Sequence, residues 1–72
     1  KTTVTLQVLE KGSVGDSVKA LQTLLNGYGF NCGSVDGSFG PATLSAVKAY
    51  QKSMKLTVDG SVGPETWGSL LT

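Results

Sequence analysis

A repeated punctuation mark constrains this chain more than any other feature. Residues 35–43 read VDGSFGPAT and residues 58–66 read VDGSVGPET, with seven of nine positions identical at a separation of 23. Reduced to Gly-Ser-apolar-Gly, the pattern occurs three times, at 12–15, 37–40 and 60–63. Each copy runs straight into apolar residues at helix-face spacing. These are Val18, Leu21, Leu24, Leu25 and Tyr28 after the first, then Ala46, Val47, Tyr50 and Met54, then Trp67, Leu70 and Leu71. The spacing predicts helices over 16–27, 41–54 and 64–71, hence an all-α chain, a compact three-helix bundle with Asp-Gly turn loops.

The residues around each start agree. Pro41 and Pro64 stand at the first helical position, where a missing N–H costs nothing and a fixed φ helps. Asp16 takes that place in the first copy, its charge suited to the positive end of the helix dipole. Gly15, Gly40 and Gly63 are the expected N-caps. Before them, Asp36-Gly37 and Asp59-Gly60 are turn pairs, in which Asp accepts from nearby backbone N–H groups and Gly supplies positive φ. Val14, Phe39 and Val62 precede the caps, placed to pack back on their own helices as hydrophobic staples. The expected core joins Val18, Leu21, Leu25, Phe30, Phe39, Val47, Tyr50, Leu56, Val62, Trp67 and Leu70 to Val8, Val35 and Val58.

With 72 residues the chain forms one domain, taken as 8–72, preceded by a threonine-rich linker or extended arm over 1–7. It lacks a signal peptide and an initiator Met, and is expected to be a segment of something longer. Six lysines against five carboxylates, with no arginine, are a poor basis for nucleic-acid or anionic-membrane partners, and neither is expected. Histidine is absent and Cys32 is the only cysteine. That excludes a His/Cys zinc site, a His-activated nucleophile and an internal disulfide. No metal, cofactor or catalytic residue is expected, and the expected state is a monomer.

Three segments together resemble the peptidoglycan-binding domain-like family. The first is Leu9-(x2)-Gly12-(x2)-Gly15-(x2)-Val18-(x2)-Leu21-Gln22-(x2)-Leu25. The second is Asp36-Gly37-x-Phe39-Gly40-(x2)-Thr43-(x2)-Ala46-Val47-(x2)-Tyr50-Gln51, and the third Leu56-(x2)-Asp59-Gly60-x-Val62-Gly63-(x2)-Thr66-Trp67-(x2)-Leu70. The resemblance implies a three-helix module on a bacterial or phage cell-wall hydrolase, an amidase or peptidase. Its role would be to hold an N-terminal catalytic domain on peptidoglycan, glycan or stem peptide, at the extracellular cell wall. The chain departs from the family at Lys55, often Gly there, and at Tyr50, commonly Phe. A different role, a propeptide-like or protein-interaction module that packs on and regulates its enzyme, predicts a contiguous exposed apolar face.

Candidate ligand contacts are Gln22, Tyr28, Phe39, Thr43, Gln51 and Trp67. The glutamines offer donors and an acceptor to a peptide or N-acetyl group, or else bridge a loop backbone. Thr43 and Thr66 have a local backbone role or a ligand role. The aromatic rings are core or platform, with Tyr28 expected to be partly exposed and Trp67 incompletely covered. Asp36 and Asp59, with Gly15, Gly37, Gly40, Pro41, Gly60, Gly63 and Pro64, read as structural turn and cap residues. Lys11, Lys19, Lys48, Lys52 and Lys55 are either a draw for the free carboxylates of stem peptides or solvated surface, with Lys48, Lys52 and Lys55 at helical spacing on one face, and Cys32 reads as a small loop or semi-buried thiol.

Overall fold

In the computed structural model, residues 8–71 are described; the linker expected over 1–7 lies outside them. Three helices follow in order, α1 (Asp16–Gly27), α2 (Pro41–Ser53) and α3 (Pro64–Leu70). All three start at a glycine N-cap without a side-chain cap, α2 and α3 with proline in the first turn, as the repeat predicts. Helices α2 and α3 stop one residue short of expectation, at Met54 and Leu71, whose N–H groups still donate to Tyr50 and Trp67.

Both long helices close the same way. The Phe30 N–H reaches the Leu25 carbonyl at 2.8 Å, and the Leu56 N–H reaches that of Gln51 at 2.8 Å. These six-to-one bonds are the mark of a Schellman end, which needs a left-handed residue in between. Gly29 (φ 92) serves at α1; Lys55 (φ 60) is forced into the role at α2. The departure at Lys55 therefore leaves the helix end unchanged and puts a side chain where glycine is preferred.

The helix-start loops are laced together by the segment before α1. Leu9 and Val62 exchange backbone bonds of 3.1 and 2.8 Å. Further along, Gly12 N–H donates to Phe39, Phe39 N–H to Ser13, and Gly15 N–H to Gly37, each at 2.9 Å. This lacing buries Leu9, Phe39 and Val62. It also corrects the staple expected at Val14, which is 76% exposed. Val14 pairs with Ser38 rather than Phe39, so it shares the solvent side of the bridge.

Val8, Val35 and Val58, expected in the core, are exposed, whereas Leu9, Cys32 and Ala46 are inside. Val35 and Val58 precede aspartates that turn toward α1 and α2, and alternation along extended chain sends each valine outward. Trp67, expected half-covered, is buried at 3% exposure. The added hydroxyl of Tyr50 lies 2.6 Å from Ser69 Oγ, while its ring stands nearly perpendicular to that of Phe30, centroids 5.4 Å apart. A buried phenol is thereby satisfied.

Candidate functional site

Gln22 lies on the inner face of α1 beside Leu21 and Leu25, and only 1% of it is exposed. A buried amide must find partners. The two hydrogens of its Nε2 are shared among three acceptors, Asp36 Oδ1 (3.0 Å), the Ser38 carbonyl (3.0 Å) and Thr43 Oγ1 (3.1 Å). Its Oε1 accepts the Gly37 N–H at 2.9 Å. One side chain thus clamps the Asp-Gly turn to the start of α2. The Ser38 N–H closes the turn on Asp36 Oδ1 at 2.9 Å.

The same clamp recurs on α2. Gln51 Nε2 donates to Asp59 Oδ1 (3.0 Å), the Ser61 carbonyl (2.8 Å) and Thr66 Oγ1 (3.1 Å), and Oε1 accepts from Gly60 N–H (3.1 Å). Asp59 Oδ1 accepts the Ser61 N–H at 2.9 Å. In both copies the aspartate is held below its ordinary value, first by the backbone N–H of Ser38 or Ser61 and then by the glutamine amide. Both carboxylates therefore remain ionised at neutral pH. The glycine of each turn has φ near 76°, at 75 and 77, and carries a lysine stem over it, Lys19 on Gly37 and Lys48 on Gly60.

The copies differ in the chain between clamp and turn. Gln22 and Asp36 are 14 residues apart, Gln51 and Asp59 only 8. The six additional residues extend α1 and form a loop over 31–34 that Asn26 pins in place. Asn26 Oδ1 accepts the Cys32 N–H at 2.9 Å, and Nδ2 donates to the Gly33 carbonyl at 3.2 Å. Between this loop and the start of α2 lies a depression of about 240 Å³, lined by Gln22, Cys32, Gly33, Ser34, Asp36, Ser38 and residues 40–43. Cys32 is buried, its Sγ 3.4 Å from the Gln22 carbonyl, and burial pushes its thiol above the ordinary value.

Of the six candidate ligand contacts, Gln22 and Thr43 line this pocket. Gln51, Phe39 and Trp67 are buried elsewhere, and Tyr28 is 47% exposed with its hydroxyl on the Leu70 carbonyl at 2.7 Å. The threonine hydroxyls take a glutamine amide rather than backbone. Ser34, Ser38 and Ala42 were not singled out by the sequence, and Cys32 reads there only as a loop thiol, not as part of a site. A second repeat points to them, Val-Lys-Ala-x-Gln at 18–22 and 47–51, whose spacing of 29 against 23 for the turns exposes the longer loop. Among the described residues there is no cluster of metal-ligating side chains and no helix long and apolar enough to cross a membrane.

The pattern of the family described as "Putative peptidoglycan binding domain" matches residues 14–70. A spore cortex-lytic enzyme of Halalkalibacterium halodurans is 46% identical over 59 residues, covering 82% of this chain and 18% of that protein. The N-acetylmuramoyl-L-alanine amidase CwlM of Mycobacterium tuberculosis is 48% identical over 56 residues, covering 78% of this chain and 14% of the amidase. The chain thus spans only a small part of these relatives. The solved SleB N-terminal domain superposes with a TM-score of 0.90 at 38% identity, over 96% of this chain and 94% of that one. With the pattern running from the first helix-start loop to the end of α3, and a near-complete match to a solved domain, this chain belongs to the peptidoglycan-binding domain family.

Proposed function

We propose that this domain holds an attached cell-wall hydrolase, an amidase or peptidase, on peptidoglycan at the cell wall, and that the pocket beside the Gln22 clamp makes the contact. The family is a binding family, and the domain is a binding module rather than the hydrolase itself. The observation that carries the choice of surface is the pocket's construction. Its floor is a locked polar network, so the rim is preorganised and little ordering is lost when a ligand docks. Weak contact suffices, because tethering raises the effective concentration of a linked enzyme at an insoluble substrate.

The test is co-sedimentation of the domain with insoluble peptidoglycan at low salt. Recovery in the pellet, lost when the pocket is filled by Ser34→Trp, supports the proposal. A domain that stays in the supernatant overturns it. In the full-length enzyme, deleting the domain lowers turnover on whole walls and leaves turnover on soluble substrate unchanged. A rise on soluble substrate would mean that the domain gates its enzyme.

A further inference from the structure

The two clamps differ at their mouths in a way that bears on what the open one takes, given the peptidoglycan-binding role proposed above. Counted from the turn aspartates, Ser34 corresponds to Thr57 and Ala42 to Glu65. In the second copy Thr57 N–H donates to Glu65 Oε1 at 3.2 Å, so a carboxylate spans the gap between loop and helix. In the first copy the side chain at that position ends at a methyl group. Ser34 and Ala42 instead line the open pocket of about 240 Å³. The Ser34 N–H finds no acceptor among the described residues.

We infer that this pocket receives the carboxylate of a short peptide, in the position that Glu65 fills in the second copy. Ser34 N–H is the donor, and the small Ala42 determines that the site is open. Asp36 also lines the pocket, with its Oδ1 engaged by the Gln22 amide and the Ser38 N–H. The pocket wall holds no aromatic ring on which a sugar would stack. Its volume is below the roughly 300–1,000 Å³ typical of sites for drug-sized ligands, which suits one or two small residues. The glycan strand is thereby disfavoured and the peptide favoured.

Three probes separate a chain-terminal from a side-chain carboxylate: acetyl-Ala-Ala with a free C-terminus, its C-terminal amide, and acetyl-Ala-Glu amide. Binding is read by titrating the Ser34 amide resonance. At least one acid shifts it, and binds at least tenfold more tightly than the neutral amide. Ala42→Glu weakens binding of that acid at least tenfold at unchanged melting temperature, whereas Glu65→Ala leaves it as in the parent. Equal response to acid and neutral peptide, or parental binding by A42E, overturns the inference. If the parent domain sediments with peptidoglycan in either case, only the carboxylate assignment has failed; if it does not, the binding role itself has failed.

Discussion

Replacing Gln51 tests whether the clamp, rather than the apolar core alone, holds the turn to α3. Gln51→Ala removes the partners of the Gly60 N–H, the Ser61 carbonyl and Thr66 Oγ1 together. Gly60 and Thr66 are buried, while Ser61 is half-buried and within reach of water. Each buried polar group left unpaired costs about 1–3 kcal/mol. Two such groups give a loss of about 3 kcal/mol, against a total of about 4–11 kcal/mol for a domain of this length. In thermal unfolding this lowers the melting temperature by about 12–24 °C. Gln51→Met keeps the volume without the amide and should lose nearly as much. Gln51→Glu replaces a donor by a carboxylate facing Asp59 and a carbonyl, and should be worse than alanine at neutral pH. Urea titration followed by fluorescence of buried Trp67 measures all three. A loss under about 1 kcal/mol for both Q51A and Q51M would refute the reasoning, because the orphaned groups would then be rehydrated at almost no cost.

Lys55→Gly should stabilise the domain by about 0.5–1 kcal/mol in the same titration, relieving the left-handed conformation at φ 60 against the larger backbone entropy of glycine when unfolded. Gly60→Ala and Gly29→Ala should each cost about 1–2 kcal/mol, because both glycines have positive φ and the leucine end that the Gly60 methyl would meet is free to shift. Asp36 and Asp59 have folded values below the ordinary 3.8, so their contribution is present above that pH and is lost as the pH falls through the lowered values. Acid unfolding should therefore begin below about pH 4 and lose much of its pH dependence in the double Asp→Asn variant. Cys32, buried with a raised thiol value, should resist iodoacetamide in the native state and react at the rate of unfolding.

Helix positions were legible in the sequence because each start combines a glycine cap with proline or aspartate, and each body has a clear apolar period. The errors have a common physical origin. Val14, Val35 and Val58 are apolar but lie outside the helices, where one position of register reverses the face: Val14 is turned out by its bridge to Ser38, and Val35 and Val58 by the adjacent aspartates that turn in to Gln22 and Gln51. Leu9 is buried for the same reason, through its bridge to Val62. Tyr28 was correctly read as partly exposed from its place between two glycines at a helix end. Trp67 was not readable from the short length of α3, since what covers an indole is decided by tertiary packing.

The glutamines show why a repeat alone does not locate a site. Read singly, Gln22 and Gln51 are long amides on helices, equally suited to ligand or loop. Read as a pair, they have the same five-bond turn geometry, and a network made twice in one chain is explained by folding. Identity between copies therefore accounts for structure, and the places where the copies part are where a binding role has room. Two of those places meet at the pocket: the six additional residues between Gln22 and Asp36, part of which form the 31–34 loop, and Ala42 where the second copy has Glu65. Neither change would serve alone. A longer loop with glutamate at 42 would be bridged by its own side chain, and alanine over a short loop would leave no volume to fill. Together they turn one of two matched helix starts into a pocket without loosening the clamp beneath it.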